Sequence, residues 1–381
     1  MFAMQRTLVL INNSSLGGAE RRLGRLFARM ADDDPRTLLI INAGLWRDLL
    51  AAGVVSGQEA RVRRLPEPWR RLTKWVGLRQ GRLAFLLRKL DFPLFSALLL
   101  VRYGLAPRRV FHLVLGGAYV ALPLMLLRPD HHAVVSVVDE NLARLVGVPW
   151  ALPAYRFALD RCDVIDALTD GVRADLIQRG IAPQKILVSP GSVVDLDRFQ
   201  PSPEKEPWVV FAGRLIEGKN PLLFVEAIPA ILRAVPTARF FLLGDGPLRS
   251  LVEHALERLN LLRAVEIGFH PDPVPVFSRA CVFASLQRED NYPSQSLLEA
   301  MACGAATVAT DVGLTWKLVD ETTGTRVKPN PDDIAEAVIG LLRDPQRCDR
   351  LGRAARRRVA EQHSKERYRT YLDTLYARAE A

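Results

Sequence analysis

Short runs of apolar residues alternate along the chain with stretches whose apolar positions recur every three or four residues. Thr7–Ile11 is such a run, and Leu23, Leu26, Phe27 and Met30 follow it at helical spacing. The same order recurs through the first half of the chain, where the further apolar runs are Thr37–Ile41, Val110–Val114, Ala133–Val138, Val164–Leu168 and Ile186–Val188. Strands that alternate with helices predict a parallel, doubly wound α/β sheet.

A polar segment with three prolines interrupts this alternation at residues 200–207 and is predicted to be a linker. The alternation then resumes with predicted strands at Trp208–Ala212, Arg239–Leu243, Val265–Ile267, Val282–Ala284 and Thr307–Thr310, and predicted helices at Asn220–Val235, Leu248–Leu259, Pro273–Arg279 and Ser296–Cys303. We therefore expect one Rossmann-like domain at 1–199 and a second at 208–360. A terminal helix at 361–381 is expected to pack back toward the N-terminal domain. Ligands of such folds bind at strand carboxyl ends, which predicts a site in a cleft between the two domains.

One uncharged stretch, Val110–Leu127, has eighteen residues, which is the lower limit for a helix that spans a membrane. It contains His112, the pair Gly116-Gly117 and Pro123. These residues favour a strand, a glycine turn and a buried helix over a membrane span. The first eleven residues also lack the cleavage site of a secretory signal.

The composition is typical of a soluble globular protein and excludes several other classes. The chain has 381 residues, of which 49% are hydrophobic and 25% charged, values that argue against disordered, collagen-like and disulfide-rich proteins. This length favours two domains. The four cysteines form neither a zinc-binding nor a disulfide pattern, so we expect a reduced, cytoplasmic compartment.

The positive charge is concentrated in one segment. The net charge is +10, and residues 61–89 contain ten basic residues against the single acid Glu67. Trp69 and Trp75 lie among them. Such a segment suits an anionic membrane surface, where each basic residue contributes about 1 kcal/mol. The alternative is a solvated cationic helix whose tryptophans pack inward. No nucleic-acid-binding module accompanies the charge, so no nucleic acid is expected as a partner.

Three short motifs resemble known fingerprints without matching them. The sequence from Gly244 to Arg249 begins as GxGxxG but ends in arginine, which argues against a dehydrogenase. The GxxxxGK sequence that starts at Gly213 is followed by Asn220, so the hydroxyl that binds Mg²⁺ in a P-loop is missing. Asp195-Leu196-Asp197 is a DxD tripeptide just before the linker and is interpreted as a loop element.

The remaining candidates indicate phosphate chemistry without a metal. Arg214 and Lys219 follow a predicted strand, where a guanidinium and an ammonium can neutralise a diphosphate. Residues 291–294 open a helix whose first N–H groups can bind an anion. Glu299 lies farther along that helix and can accept hydrogen bonds from ribose hydroxyls. The alternative is that Glu299 binds no ligand and is simply an exposed residue of the helix.

Several of these motifs together resemble the retaining, nucleotide-sugar-dependent glycosyltransferases of the GT-B fold, family 4 (glycosyl transferases group 1). The matching segments are Gly17–Arg21, Ala212–Leu215 with Lys219, Leu243–Pro247, Ser296–Gly304 and Asp311–Gly313. Each is short, but their order and spacing are specific. The resemblance implies an α/β GT-B fold of two doubly wound Rossmann-like lobes with an inter-domain cleft.

The resemblance also implies a role for each matching position. The backbone at Gly17 and Gly18 would approach the sugar diphosphate, which Arg214 and Lys219 would hold as it leaves. Further donor-binding positions are the Ser296 and Leu297 N–H groups near the diphosphate and Glu299 on the ribose.

Two further positions correspond to functional residues of the family, but one has an alternative explanation and the other is a different residue type. His112 matches the family's histidine near the reacting carbon of the sugar, and the alternative is a histidine in the core. The family has two glutamates in its donor motif, and the first of them corresponds to Asn291, with Glu289 and Asp290 just before it. That glutamate contacts the transferred sugar in the family, so Asn291 changes the charge at a donor-binding position.

The resemblance implies a metal-independent glycosyltransferase that needs no cofactor beyond its nucleoside diphosphate sugar. An oxocarbenium-like step, with the leaving phosphate taking the acceptor proton, would retain the anomeric configuration. Together with the basic segment 61–89, this predicts a glycan or lipid-linked acceptor at the inner membrane face, in polysaccharide or lipopolysaccharide biosynthesis. The alternatives are a non-catalytic homologue that binds sugar nucleotides or membranes, and a nucleotide-sugar epimerase of the same fold.

Overall fold

A computed structural model describes residues 4–11, 18–75, 90–137 and 152–381. The chain divides into two compact units, of which unit 1 comprises Met1–Pro190 with Thr370–Ala381, and unit 2 comprises Gly191–Arg369. These boundaries differ from the expected linker at residues 200–207. Residues 191–199 belong to unit 2 because Val194 and Phe199 are buried in its hydrophobic core. The chain returns to unit 1 at Thr370, within the last helix.

Unit 1 contains a parallel sheet in the order β3-β2-β1-β4-β5-β6-β7. Its strands are β1 (Gln5–Ile11), β2 (Thr37–Asn42), β3 (Val62–Leu65), β4 (Arg109–Leu115), β5 (His132–Val137), β6 (Val164–Ala167) and β7 (Ile186–Val188). Its helices are α1 (Gly18–Asp33), α2 (Ala43–Ala51), α3 (Pro68–Trp75), α4 (Asp91–Tyr103), α5 (Gly117–Leu127), α6 (Leu152–Arg161) and α7 (Asp170–Gln178). Central strands such as β1 are almost completely buried, as expected for a parallel sheet covered on both faces.

Unit 2 contains a second parallel sheet in the order β10-β9-β8-β11-β12-β13. Its strands are β8 (Glu206–Ala212), β9 (Arg239–Leu243), β10 (Val265–Gly268), β11 (Ala280–Ser285), β12 (Ala306–Thr310) and β13 (Gly324–Val327). Its helices are α8 (Pro221–Ala234), α9 (Arg249–Arg258), α10 (Val274–Arg279), α11 (Gln295–Ala302), α12 (Pro331–Leu342) and α13 (Pro345–Gln362). The last helix, α14 (Lys365–Glu380), begins in unit 2 and ends in unit 1.

The predicted doubly wound α/β class is confirmed in both units. Each sheet extends in two directions from its first strand, so that β1 lies between β2 and β4, and β8 between β9 and β11. The sequence analysis missed the edge strands β3 and β13. Their short, partly exposed segments include Arg63, Arg64 and Arg326, and lack the apolar run that marks a central strand.

The uncharged stretch from Val110 to Leu127 folds as predicted. It forms most of β4, a turn at Gly116 and the helix α5. The Gly116 N–H donates to the Ile11 carbonyl at 2.9 Å, and a Cβ at Gly117 would lie 2.6 Å from the carbonyl oxygen of Val9. This turn therefore passes too close to β1 for a larger residue. Across the described ranges, no helix combines the length and the apolar character needed to cross a bilayer.

Candidate functional site

The loop after β8 lies where the sheet of unit 2 changes direction. β9 pairs with one side of β8 and β11 with the other, so the carboxyl end of β8 is a topological switch point. Ligands of doubly wound folds bind at such points. Gly213 and Arg214 are the first residues beyond this end, and the Arg214 side chain is exposed. Lys219 closes the following short 3₁₀ turn before α8.

The loop after β8 touches the loop after β9 backbone to backbone. The Gly213 N–H donates to the Leu243 carbonyl, and the Leu215 N–H donates to the Asp245 carbonyl, each at 3.0 Å. A Cβ at Gly244 would lie only 1.9 Å from the Gly213 carbonyl oxygen. Glycine at position 244 therefore allows this close approach. The incomplete GxGxxG motif marked the glycines of this segment in the sequence. It did not show that Gly244 is needed for the close approach to Gly213.

Lys219 is a partly buried cation at the edge of this loop. Its side chain passes beside Gly213, where a Cβ would lie 3.9 Å from the lysine Cγ. Burial lowers the pKa of Lys219 to about 8. No carboxylate pairs with this ammonium within unit 2, whose residues are all described. A desolvated cation without an acidic partner is suited to bind an anionic ligand.

The N-terminus of α11 lies next to the same strand end. The Ser296 hydroxyl donates to the carbonyl of Ala212, the last residue of β8, at 2.9 Å. The Ser294 side chain makes no capping hydrogen bond to the helix. The first N–H groups of α11, at Ser296 and Leu297 among others, can therefore serve an anion. The structure thus brings the start of α11 and the loop that carries Lys219 to one end of β8. We call the group formed by Gly213, Arg214, Lys219, Ser296 and Leu297 the phosphate site.

Glu299 lies one turn into α11 and is partly buried. Its Oε1 atom accepts a hydrogen bond from Nε2 of Gln295 at 3.0 Å. The interpretation of Glu299 as an exposed helical residue is therefore wrong, because the side chain is enclosed and engaged. The sequence analysis did not single out Gln295, since a glutamine at the start of a helix carries no fingerprint.

Asn291 is exposed on the loop that leads into α11, as is Glu289. Asp290 organises this loop, because its Oδ1 accepts the N–H groups of Tyr292 and Leu314, each at 3.1 Å. Gly313 has a φ of 51° and lies so close that a Cβ there would approach the Asp290 side chain to 2.3 Å. Asp290 thus has a structural role in joining two loops at the carboxyl edge of the sheet.

The N-terminal candidates lie in unit 1 and are described separately. Gly17 is outside the described residues, and Gly18 is the first residue of α1. His112 lies in the middle of β4 and is 1% exposed. Both of its ring nitrogens are engaged, Nδ1 with the Tyr376 hydroxyl at 2.8 Å and Nε2 with the Ser136 hydroxyl at 2.7 Å.

The hydrogen bonds of His112 define one neutral form of its ring. Ser136 donates its single hydrogen to Asp166, which also accepts from Tyr371, so the Ser136 oxygen accepts from Nε2–H of His112. Nδ1 consequently accepts from Tyr376. Burial lowers the pKa of His112 to about 3. The structure therefore favours the second interpretation of His112, a histidine of the core, because the ring is buried and both of its nitrogens are engaged within unit 1.

The DxD tripeptide lies in a turn of unit 2, as predicted for a loop element. The Lys365 ammonium forms ion pairs with Asp195 and, at 3.3 Å, with Asp197. This pairing holds the pKa of Asp195 below its usual value, against the effect of burial. Both carboxylates of the tripeptide are thus paired with the same lysine.

The basic segment 61–89 is described only as far as Trp75. Trp75 is 85% exposed and Trp69 is 37% exposed. The alternative in which both tryptophans pack inward is therefore wrong for Trp75. Glu67 is 1% exposed and binds the backbone N–H of Gly44 at the start of α2. The one acid of the segment is thus withdrawn from the surface, which leaves the exposed charge positive.

Comparison with known proteins identifies the domain that contains the phosphate site. Residues 206–344 match the family model described as glycosyl transferases group 1. The chain carries a glycosyl transferases group 1 domain. The predicted enzyme class, a glycosyltransferase, is confirmed by this match and by its relatives. The matched range begins at β8 and includes Arg214, Lys219, Asn291 and Glu299.

Two curated relatives are named as enzymes that act on phosphatidylinositol lipids. One, a component of the phosphatidylinositol N-acetylglucosaminyltransferase of Arabidopsis thaliana, is 29% identical over 43% of this chain and 38% of its own length. The other, the GDP-mannose-dependent alpha-(1-6)-phosphatidylinositol monomannoside mannosyltransferase of Mycolicibacterium smegmatis, is 28% identical over 62% of this chain and 69% of its own length. The matches therefore leave part of each relative uncovered.

Solved structures confirm the predicted GT-B fold. The HepE protein of Anabaena, solved in complex with UDP and glucose, has a TM-score of 0.74 and covers 98% of this chain and 100% of its own, at 17% identity. The sucrose-phosphate synthase of Thermosynechococcus elongatus has a TM-score of 0.69 and covers 98% of both chains, at 17% identity. At these identities the likeness concerns the fold alone.

Proposed function

We propose that this glycosyltransferase moves a sugar from a nucleoside diphosphate sugar to a glycan or lipid-linked acceptor, with retention of the anomeric configuration and without a metal ion. The observation that carries the proposal is the phosphate site itself. A partly buried ammonium that pairs with no carboxylate of unit 2, an exposed guanidinium and uncapped helix N–H groups lie at one strand end. These groups together offer the positive charge that a diphosphate requires.

In the proposed mechanism the protein stabilises the leaving group. Arg214, Lys219 and the N–H groups of Ser296 and Leu297 hold the diphosphate and offset the charge that develops as the glycosidic bond breaks. The sugar passes through an oxocarbenium-like state. A phosphate oxygen of the leaving group then takes the proton of the acceptor hydroxyl, which attacks from the same face. Glu299 binds the ribose, and Asn291 lies in the loop proposed to contact the transferred sugar.

The roles proposed for unit 1 are more limited. The backbone at Gly17 and Gly18 is proposed to approach the sugar diphosphate, as in the related family. We assign no catalytic role to His112, because its ring is buried, neutral and fully hydrogen-bonded.

The assay that tests this function measures nucleoside diphosphate release from a panel of UDP-, GDP- and ADP-sugars. Purified protein is assayed in EDTA, with and without membrane lipid extract. We expect release that requires one particular donor together with the lipid. An epimerase would instead convert the donor sugar without releasing the nucleotide. A protein that turns over no donor, and whose melting temperature no donor raises, would contradict the catalytic proposal and favour the non-catalytic alternative.

The pH dependence of nucleotide binding tests the role of Lys219. In the free protein its pKa is about 8, so the ammonium becomes neutral as the pH rises through that value. Because the charged form binds the diphosphate, the Kd should rise above pH 8 by about tenfold per pH unit. Lys219→Arg keeps its charge over this range and should show a nearly constant Kd between pH 7 and pH 9.5. Parallel curves for the two proteins would argue against this role. Isothermal titration with nucleoside diphosphate provides the measurement.

We further propose that the enzyme works as a peripheral protein on an anionic membrane surface, at the cytoplasmic face. Segment 61–89 supplies positive charge, and apolar residues are exposed on α4, just beyond α4 and at the end of α5. Val101 is 87% exposed, Leu105 99% and Leu127 69%. Arg128, the residue after Leu127, donates to the carbonyls of Gly104 and Ala106, on either side of Leu105. Residues 92–129 contain no Asp or Glu, so no acidic side chain of this stretch opposes an anionic surface.

Co-sedimentation with vesicles rich in anionic lipid tests this partner at low salt. We expect the wild-type protein to sediment with them, and Leu105→Glu or Trp75→Ala to bind about tenfold more weakly, because each change removes apolar surface that enters the lipid. Leu251→Glu is the matched control, since Leu251 is 56% exposed on α9 of unit 2. Wild-type protein that stays in the supernatant, or site variants that sediment like the control, would contradict the membrane proposal.

A further inference from the structure

The Gln295 side chain connects Glu299 to the segment with which unit 2 begins. Its Nε2 atom donates to Oε1 of Glu299 at 3.0 Å and to the Val193 carbonyl at 3.3 Å. Its Oε1 atom accepts a hydrogen bond from the Ser192 hydroxyl. All three polar functions of the amide, its two N–H donors and its oxygen, are therefore used.

These hydrogen bonds fix the orientation of the amide. Nε2 must face Val193 and Glu299, because the oxygen faces the hydroxyl of Ser192. Ser192 is 1% exposed, and its own carbonyl binds Nδ1 of His363 at 3.0 Å. The His363 carbonyl in turn accepts a hydrogen bond from the Val194 N–H at 2.8 Å. The segment that holds Gln295 is thus anchored on a buried part of unit 2.

The hydrogen bond from this fixed amide restrains the Glu299 carboxylate. Gln295 and Glu299 are four residues apart on α11, where side chains of one helical face meet. A glutamate side chain otherwise samples several rotamers, and a ligand that needs one of them must order it on binding. A hydrogen bond to a fixed amide orders the side chain before the ligand arrives.

We propose that Gln295 is a positioning residue that holds the Glu299 carboxylate in the orientation that accepts the two ribose hydroxyls of the donor. This inference rests on the proposed function, in which Glu299 binds the ribose. The Gln295 side chain acts on the nucleotide only through Glu299, because all three polar functions of its amide are already engaged. Its contribution is therefore specific to ligands that carry the hydroxyls, and it sets the preference of the site for ribonucleotides.

The test compares nucleoside diphosphates with their 2′,3′-dideoxy counterparts by isothermal titration. The nucleobase is the one of UDP, GDP and ADP that binds the wild-type protein most tightly. We expect Gln295→Leu to weaken ribonucleotide binding by about tenfold, as for a lost hydrogen bond to a charged group, and to leave dideoxynucleotide binding unchanged. The KM for the donor should rise with kcat retained. Glu299→Ala should lose the same preference, and adding Gln295→Leu to it should weaken binding no further.

Gln346→Leu is the matched control, because Gln346 is exposed on α13, away from these contacts. A Gln295→Leu protein that keeps the wild-type preference for ribonucleotides overturns the proposal. So does one that loses affinity for both nucleotides equally, since that result indicates a general structural role. If the wild-type protein binds the diphosphates but does not distinguish the dideoxy forms, the positioning role falls while the phosphate site stands. Failure to bind any of the three overturns both.

Discussion

Replacing Arg214 or Lys219 by alanine should lower the rate of nucleoside diphosphate release by about 10²- to 10³-fold, the effect typical of removing one group that stabilises developing charge. Both residues follow β8 at the switch point of its sheet, and burial lowers the pKa of Lys219 to about 8. In the proposed mechanism the positive charge of the site acts most strongly when the glycosidic bond is breaking, so the loss should appear in kcat as well as in donor affinity.

The fold should survive both replacements. Arg214 is exposed, and Lys219→Ala removes a cation whose burial costs free energy in the absence of a ligand. Thermal melting without nucleotide should therefore change little. Arg263→Ala and Lys328→Ala are matched controls, because both residues are exposed in unit 2 outside the phosphate site. Turnover near the wild-type rate in both site variants would eliminate the proposed mechanism.

Gly244→Ala should destabilise unit 2 by about 3 kcal/mol, at the upper end of the usual cost of overpacking. The new Cβ would lie 1.9 Å from the Gly213 carbonyl oxygen, and neither backbone can give way easily. The Gly213 and Leu215 N–H groups are bonded to the loop on which Gly244 lies. A loss of this size lowers Tm by roughly 6–12 °C in a unit of this length.

Gly268→Ala is the control for this change. Gly268 ends β10, and a Cβ there would have no atom within 4 Å. Its melting temperature should stay within a degree or two of the wild type, as for a substitution away from such contacts. The two alanine variants can be followed by circular dichroism. Equal melting temperatures for both would mean that the two loops do not approach as closely as described.

Much of the fold followed from the order of apolar runs and helical stretches. Central strands such as β8 and β9 were predicted within a residue or two, because strands buried on both faces must be apolar throughout. The edge strands β3 and β13, which are partly exposed, were missed for the complementary reason, whereas the edge strands β7 and β10 were predicted. The domain boundary differed as well, since Val194 and Phe199 look like the end of the first domain in sequence but contribute to the core of unit 2.

For the candidate site, too, the sequence indicated some features and the structure was needed for others. The residue types and positions of Arg214, Lys219 and Glu299 indicated binding of a diphosphate and a ribose at a strand end and a helix start, and the family resemblance implied that the ligand is a nucleotide sugar. The sequence left open whether the His112 ring faces a ligand or lies in the core. That depended on Ser136 and Tyr376, which are distant in sequence and complete its hydrogen bonds in the core.

By itself, the sequence determined the α/β class, the two Rossmann-like units and the group 1 glycosyltransferase motifs, because these depend on local periodicity and short spacings. Only the tertiary structure decided which candidates lie close together. Burial, a pKa shift and hydrogen bonds between distant residues arise from packing. Packing left Lys219 without an acidic partner in unit 2, brought Gly244 against Gly213, and gave Glu299 the support of Gln295.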